Sequence, residues 1–101
     1  RLGMLYAPLL SVPEVQSRLQ RLDGWHLMGS CIVKQFQLRT FQKSLDFVSR
    51  VGDLAEAADH HPDITIDYNR VTLSFSTHAS KGLTDRDFDL AGEIDHLDRD
   101  L

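Results

Sequence analysis

The chain has 101 residues, of which 42% are hydrophobic, and its formal net charge is −4 at pH 7. This size and composition predict one folded domain over residues 1–101 and fit a globular chain rather than a disordered one. The acidic balance argues against nucleic acid as a direct partner, because phosphate binding requires a cationic surface. No apolar run approaches the roughly 20 residues of a membrane-spanning helix, so no membrane partner is predicted.

The acidic residues are concentrated in the second half of the chain. Residues 1–50 contain seven Lys and Arg against three acidic residues, whereas residues 51–101 contain four against twelve. Much of the excess lies on the last predicted helix, where a solvated acidic face explains it. The single cysteine, Cys31, rules out an internal disulfide and fits a reducing compartment, which predicts a cytoplasmic location.

The first half of the chain predicts a helix, a hairpin and a second helix. The stretch Ser11-Val-Pro-Glu14 has the form of a capping box and opens a short amphipathic helix. Residues 25–28 and 31–39 then alternate as two strands around the turn Gly29-Ser30. Apolar residues recur at spacings of three and four from Phe41 to Ala58, which predicts the longest helix.

The second half predicts another hairpin and a final helix. Pro62 favours an extended backbone before it, so the long helix should end at or before His60. Alternating apolar residues on either side of Asn69-Arg70 predict two strands joined by that turn: Ile64, Ile66, Tyr68, Val71, Leu73 and Phe75. Thr84-Asp-Arg-Asp87 resembles a second capping box. The sequence therefore predicts an α+β fold, a four-stranded antiparallel sheet with three helices packed on one face, in the order α-β-β-α-β-β-α.

Three of the five histidines are predicted to meet at the open end of the second hairpin. A turn at Asn69-Arg70 places His61 opposite His78, and cross-strand neighbours have Cβ atoms roughly 4.5–5.5 Å apart. His60 lies one residue earlier, at the corner between helix and strand. The isolated His26 and His96 are interpreted as structural or surface residues.

The residue types leave two chemistries open for the three histidines. Imidazoles bind zinc, iron and copper, but no carboxylate stands at a usual short ligand spacing and no HExxH or paired cysteines occur. Alternatively, imidazoles can act as general acid and base near neutral pH. Asp87 is either a helix-capping residue or a partner that orients an imidazole, and Glu56 can be read simply as an exposed helical carboxylate. Spacing alone does not decide between these chemistries.

The order and spacing of these residues resemble the signature of the pterin-4a-carbinolamine dehydratases. The signature stretches, quoted in chain order, are Glu56, His60-His61-Pro62, Tyr68-Asn69-x-Val71, Ser76-Thr77-His78 and Gly82-Leu83-Thr84-x-x-Asp87-x-x-Leu90-Ala91. Gly24-Trp25 and Lys34-x-Phe36 extend the resemblance over nearly all of the chain after Leu10. Two positions depart from the family pattern: Leu38 stands where an aromatic residue is common, and Ala79 where an acidic one often follows the third histidine.

This resemblance implies a hydro-lyase that converts 4a-hydroxytetrahydropterin to quinonoid dihydropterin during tetrahydrobiopterin recycling. It implies no metal and no organic cofactor. The implied catalytic residues are His60, His61, His78 and Asp87. The implied substrate-binding residues are the same three histidines together with Glu56, Asp59, Ser76, Thr77 and Ala79. The predicted register gives His61 and His78 the two proton transfers and His60 a positioning role.

A homo-oligomer and a protein-binding function are also predicted. The last helix carries apolar residues at Leu90, Ile94, Leu97 and Leu101, a broader apolar surface than one small sheet needs to cover. Together with free strand edges, this surface predicts association, and the resemblance implies a dimer or a tetramer built from dimers. The family also includes dimerisation cofactors of a homeodomain transcription factor. A transcriptional coactivator that also enters the nucleus is therefore the alternative function.

Overall fold

Three helices and one four-stranded sheet make up the protein in the computed structural model, which describes residues 7–97. The helices are α1 (Val12–Gln20), α2 (Phe41–Ala58) and α3 (Asp85–Asp95), and the strands are β1 (His26–Met28), β2 (Cys31–Gln37), β3 (Asp63–Asp67) and β4 (Arg70–Phe75). A 3-10 turn at His78–Ser80 joins β4 to α3. All strand pairs are antiparallel, in the order β1-β2-β4-β3. The predicted fold class and element order are confirmed.

Each of these three helices is preceded by a residue whose side chain caps its first turn. Ser11 and Glu14 exchange backbone and side-chain hydrogen bonds at the start of α1, and Thr84 and Asp87 do the same at the start of α3. Both predicted capping boxes are therefore confirmed. The Ser11 backbone N–H that donates to Glu14 lowers the pKa of this carboxyl group. Thr40 caps α2 by accepting a hydrogen bond from the backbone N–H of Lys43.

The turn of the second hairpin differs from the prediction. Asp67 pairs with Arg70, so the two-residue turn is Tyr68-Asn69 and not Asn69-Arg70. Tyr68 occupies the turn with φ of 53° and is 65% exposed, so it does not continue the apolar face of β3. Arg70 stays in β4 because it pairs with Gln37 of β2 as well as with Asp67.

This change moves the register of the hairpin by two residues. Ile64 lies opposite Leu73, whereas the predicted turn would place it opposite Phe75, two residues further along β4. If the pairing continues beyond the ladder, His61 comes opposite Ser76 and not opposite His78. The predicted His61–His78 pair is therefore wrong, and so is the basis for giving these two residues the leading catalytic roles.

The core lies between the sheet and the helices. On the side of the sheet facing the helices, β2 and β4 place five residues that are at most 2% exposed: Ile32, Phe36, Val71, Leu73 and Phe75. They pack in one cluster with Val15 of α1, with Phe47 and Val51 of α2, and with Phe88, Leu90 and Ile94 of α3. Residues on the opposite face, such as Gln35 and Thr72, are more polar and more exposed. The apolar alternation of these strands thus fixes which face the helices cover.

The apolar residues of α3 are used inside the protomer. Phe88, Leu90, Ala91 and Ile94 are all buried, and Leu97 packs partly against the same cluster. Leu101, which belonged to the predicted association surface, lies outside the described residues. The breadth of this helix is therefore explained by its own core, and it no longer supports association between copies.

A polar network ties the end of α3 to the first hairpin. The indole Nε1 of Trp25 donates to both carboxylate oxygens of Asp95, at 3.1 and 3.0 Å. Lys34 Nζ donates to Asp95 Oδ1 at 2.9 Å and to the backbone carbonyl of Asp23 at 2.7 Å. The side chains of Lys34 and Asp95 are only 14% and 18% exposed, so Asp95 satisfies two donors that have little access to water.

None of the helices within residues 7–97 combines the length and the apolar character that a bilayer crossing requires.

We predict that Asp95→Ala destabilises the fold by about 1–3 kcal/mol, because it leaves the Trp25 indole and the Lys34 ammonium without their shared acceptor. Urea unfolding followed by Trp25 fluorescence measures the change in free energy. Glu93→Ala is the matched control, since it removes a carboxylate from the exposed face of the same helix and should cost at most about 0.5 kcal/mol. Equal stabilities of the two variants would show that the network contributes nothing.

Candidate active site

The site is built on the corner that follows α2. Asp59 adopts the left-handed conformation, with φ of 51°. The backbone N–H of Asp59 donates to Glu56 O at 3.2 Å, and that of His60 donates to Ala55 O at 3.1 Å. This pair of bonds is a Schellman motif, which ends a helix and turns the chain sharply. The predicted helix end before His60 is confirmed, and the turn sends the next two side chains in different directions.

His60 turns inward, between the sheet and α3. The residue is 6% exposed, and its ring stacks on Phe75 with the centroids 5.8 Å apart and the planes at 18°. Its Nε2 lies 2.6 Å from Oδ1 of Asp87. The imidazole is therefore fixed on one face by an aromatic ring and on one edge by a carboxylate.

Asp87 is a fully buried carboxylate with three hydrogen-bond partners in the protein. Its Oδ2 accepts hydrogen bonds from the Thr77 hydroxyl at 2.8 Å and from the Thr84 backbone N–H at 3.0 Å. Thr77 and Thr84 also join their hydroxyl oxygens at 2.7 Å. A buried charge is tolerated only when hydrogen bonds replace its hydration, and Asp87 obtains them from the helix cap, from Thr77 and from His60.

The direction of these bonds follows from what each group can donate. A carboxylate only accepts, so Thr77 donates to Asp87 and must itself accept from the Thr84 hydroxyl. By the same reasoning, the Nε2 of His60 carries a hydrogen and donates a hydrogen bond to Asp87. In its neutral form His60 then has its free lone pair on Nδ1, and the residue lines the adjacent pocket.

His61, unlike His60, is exposed at the surface. Its Nε2 bonds to Oε2 of Glu56, one turn earlier on α2, so Glu56 is more than a solvated helical carboxylate. About half of the His61 side chain and most of the Glu56 side chain remain in contact with solvent. Two adjacent histidines thus bond to carboxylates in different environments, one buried and one exposed.

A shallow pocket of about 330 Å³ lies at this corner. Its lining residues are Asp59, His60, His61, Pro62, Asp63, Ser76 and His78. A larger hollow of about 390 Å³ lies between α1 and α3, where Arg18 pairs with Asp85, but no histidine lines it. Of these two pockets, the one at the corner combines three imidazoles with hydroxyl and carboxylate groups.

Most of the predicted site residues meet at this pocket, although not all of them line it. The predicted residues that line it are Asp59, His60, His61, Ser76 and His78. His61 and His78 thus line one pocket, although they are not paired across the hairpin as predicted. Thr77 and Asp87 lie buried behind His60, and Glu56 holds His61. Ala79 is exposed in the 3-10 turn and is not a lining residue.

The sequence-based prediction omitted two of the lining residues and one of the supporting residues. Pro62 and Asp63 line the pocket, and Thr84 completes the network around Asp87. Pro62 and Asp63 directly follow the histidine pair, so their proximity in sequence was an available signal. The contact between Thr84 and Thr77 joins two loops and had no local signal.

Comparisons with known proteins agree with this picture. Residues 8–97 match the family described as pterin 4 alpha carbinolamine dehydratase. A curated relative from Roseiflexus castenholzii that bears the family's name is 52% identical over 90% of this chain and 98% of its own length. Another such relative, from a Picosynechococcus species, is 44% identical over 90% of this chain and 99% of its own.

Solved structures give the same result for the fold. A Brucella melitensis protein described as a transcriptional coactivator/pterin dehydratase superposes with a TM-score of 0.82 at 31% identity, covering 85% of this chain and 94% of that one. A pterin dehydratase-like protein described as a RuBisCO assembly factor in the alpha-carboxysome has a TM-score of 0.62 at 19% identity, covering 71% and 86%, and shows the shared fold only. The family match and the identities over nearly the whole chain lead to one conclusion: this protein belongs to the pterin-4-alpha-carbinolamine dehydratases, a family of hydro-lyases.

Proposed function

We propose that this protein converts 4a-hydroxytetrahydropterin to quinonoid dihydropterin by histidine acid–base catalysis, as a step of tetrahydrobiopterin recycling. The main support is the His60–Asp87 pair at 2.6 Å, which presents one imidazole to a pocket that His61 and His78 also line. Membership of the dehydratase family supports the reaction class. The assignment of roles to individual residues rests on the geometry of the pocket.

The reaction requires two proton transfers. The bond between C4a and the hydroxyl oxygen breaks, and this oxygen leaves as water after it accepts a proton. The N5–H proton is removed, and its electron pair forms the double bond between C4a and N5. Both positions lie on one edge of a flat ring, which a shallow pocket with imidazoles around its rim can reach. A positioned acid or base typically contributes about 10²–10⁴-fold to such a step.

We assign the base role to His60. Asp87 holds the proton on Nε2, so Nδ1 of the neutral ring has the lone pair that can accept the N5 proton. The imidazolium that forms is then stabilised by the buried Asp87 carboxylate, much as a carboxylate supports the histidine base of a hydrolase triad. This role replaces the positioning role that the sequence predicted for His60.

The acid role falls to the exposed histidines. His61 and His78 line the rim of the pocket, where either ring can exchange protons with water between turnovers. Glu56 fixes the ring of His61 through Nε2, leaving Nδ1 for the departing 4a-hydroxyl. The two roles thus fall to imidazoles in different surroundings, with His60 buried beside Asp87 and the other two at the rim.

The remaining site residues are assigned to substrate binding. Asp59 and Ser76 line the pocket and can accept or donate hydrogen bonds along the pterin edge. The Thr77 hydroxyl is committed to Asp87, so Thr77 can contribute only its backbone. Ala79 has only backbone groups to offer, next to His78. The proposal includes no metal and no organic cofactor.

A homo-oligomer, either a dimer or a tetramer, is also proposed, now on the basis of α2. Phe41 and Leu45 are 48% and 38% exposed although they lie one turn apart on the same face of the helix. Val48 and Gly52 continue this face, and a Cβ atom added at Gly52 would meet nothing within 4 Å. A helix face with this much exposed apolar surface favours contact with another copy.

The alternative function is a protein-binding coactivator, which would act in the nucleus as well as in the cytoplasm. One observation favours it: the Brucella melitensis relative is described as a transcriptional coactivator as well as a pterin dehydratase. Such binding would use helix surfaces and would not need the histidines. A binding assay against a homeodomain transcription factor separates the two functions, because a variant without the three histidines would keep coactivator binding and lose catalysis.

We predict that His60→Gln lowers kcat by about 10²-fold or more, because glutamine keeps a donor for Asp87 but cannot act as a base at neutral pH. His61→Ala and His78→Ala should each lower kcat by about 10-fold or more. The double variant should lose less than the product of the two single losses, since the effects of groups that act together are not additive. Stopped-flow decay of synthetic 4a-hydroxytetrahydropterin measures kcat. Circular dichroism checks folding.

His96→Ala is the control for these variants, because this histidine is exposed and its ring bonds to the Gly92 carbonyl of α3, away from the pocket at the corner. It should retain the parent rate. A folded His60→Gln protein with the parent rate would disprove the base assignment, and a rate unaffected by all three substitutions would disprove the dehydratase mechanism.

We predict that activity does not depend on a metal ion. Within residues 7–97, no group of three or more His, Cys, Asp or Glu side chains is arranged to hold one, and two of the three histidines bond to carboxylates instead. Activity should therefore survive exhaustive chelation, and elemental analysis should find less than one zinc, iron or copper per chain. Loss of activity on chelation with recovery on adding back one metal would contradict the acid–base proposal.

We predict that light scattering at micromolar concentration detects a dimer or tetramer, and that Leu45→Asp shifts the protein toward the monomer. The introduced carboxylate would have to be desolvated in an apolar contact between copies. Ser17→Asp adds the same charge to an exposed position on α1 and should leave the assembly unchanged. A parent protein that is monomeric throughout would refute the proposed association.

A further inference from the structure

Arg86 connects the start of α3 to the end of α2. Its guanidinium donates to the backbone carbonyl of Asp59 at 2.7 Å and to that of Ala58 at 3.1 Å. Ala58 is the last residue of α2, and Asp59 is the left-handed residue that follows it. The Schellman motif at this corner uses the carbonyls of Ala55 and Glu56 as acceptors. Arg86 binds two further carbonyls at the end of the helix that are not acceptors in this motif.

The stability of α3 does not explain this arginine. Arg86 lies in the first turn of α3, where the helix dipole disfavours a positive charge. The end of α2 is where the dipole favours a cation, and the last turn of α2 contains no basic residue of its own. The position of Arg86 is therefore explained by its contact with the corner and not by its own helix.

Consecutive residues of α3 hold consecutive residues of the corner. Arg86 binds the backbone of Asp59, and Asp87 binds the side chain of His60. The first contact fixes the peptide that turns the chain, and the second fixes the imidazole that results from the turn. A left-handed conformation is uncommon outside glycine, although Asp adopts it more readily than most residues, and the Arg86 contact helps to hold Asp59 in it.

We propose that Arg86 is a positioning residue of the site, which acts on His60 and His61 through the backbone of Asp59. The inference rests on the proposed dehydratase function. Without the two carbonyl contacts, the corner samples other backbone conformations, and both imidazoles leave the geometry that proton transfer needs. Displacements of about 1 Å can cost up to about 10²-fold in rate when a positioned group is involved.

The test compares three variants of the full chain with the parent. Both carbonyl contacts come from one guanidinium nitrogen of Arg86. Arg86→Gln removes the charge, whereas Arg86→Lys keeps the charge and one nitrogen with several donors, on a side chain of different shape. Arg18→Gln is the matched control: it removes an arginine whose ion pair with Asp85 also stabilises the first turn of α3 but does not contact the corner. Each variant is assayed for kcat and KM with 4a-hydroxytetrahydropterin, for thermal stability, and for the ring nitrogens of His60 by 15N NMR.

We expect Arg86→Gln to lower kcat about tenfold, with KM changed less than about threefold, and Arg86→Lys to recover part of the loss. The 15N spectrum of Arg86→Gln should show His60 exchanging between tautomers, where the parent shows Nε2 protonated. Arg18→Gln should match the parent in kcat and in this spectrum, even if it loses as much thermal stability.

An Arg86→Gln protein with the parent kcat and the parent His60 spectrum would overturn the inference, and so would an equal loss of kcat in Arg18→Gln. If the parent itself does not accelerate the dehydration, the proposed function fails and the spectrum alone decides about Arg86. In that case, a single His60 tautomer that persists in Arg86→Gln overturns the positioning role, and its loss supports it.

Discussion

The buried carboxylate of Asp87 is the interaction on which the rest of the site depends. It is fully removed from solvent, and it receives hydrogen bonds from the cap of its own helix, from Thr77 beyond β4 and from His60 beyond α2. No single element could satisfy this charge, so its burial requires all three segments to be in place. The same requirement that makes Asp87 costly to bury also holds the histidine in one orientation. The surroundings of Asp87 are therefore complete only when these three segments have folded together.

The first turn of α3 combines two tasks that are usually separate. Thr84 and Asp87 form a capping box, which serves the helix, and Asp87 also binds an imidazole, which serves the site. The carboxylate is therefore held before any substrate arrives, by the backbone N–H of Thr84 and by the buried hydroxyl of Thr77. A site supported in this way is rigid where His60 lies and more open at the rim, where His61 and His78 are exposed.

The sequence predicted the features that depend on neighbours along the chain. Both capping boxes, the end of α2 before Pro62 and the alternation of β4 follow from a few adjacent residues, and each is confirmed. The turn at Tyr68-Asn69 was missed because it depends on β4 pairing with β2, which is distant in sequence. The histidine pocket was predicted because a hairpin between His61 and His78 brings both to its open end, even when its register is wrong by two residues. The contacts of Thr84 and Arg86 were not found, since residues 7 and 27 positions away define their roles.

The different environments of His60 and His61 have a consequence for how this segment can change. His60 reaches Asp87 in the interior and His61 reaches Glu56 at the surface, although the two histidines are adjacent in the sequence. Inserting a single residue between Asp59 and His60 would displace both imidazoles relative to the end of α2, and both carboxylates would lose their partners together. Substitutions at single positions would each disturb only one of these pairs. The segment is therefore constrained in its length even more than in its composition.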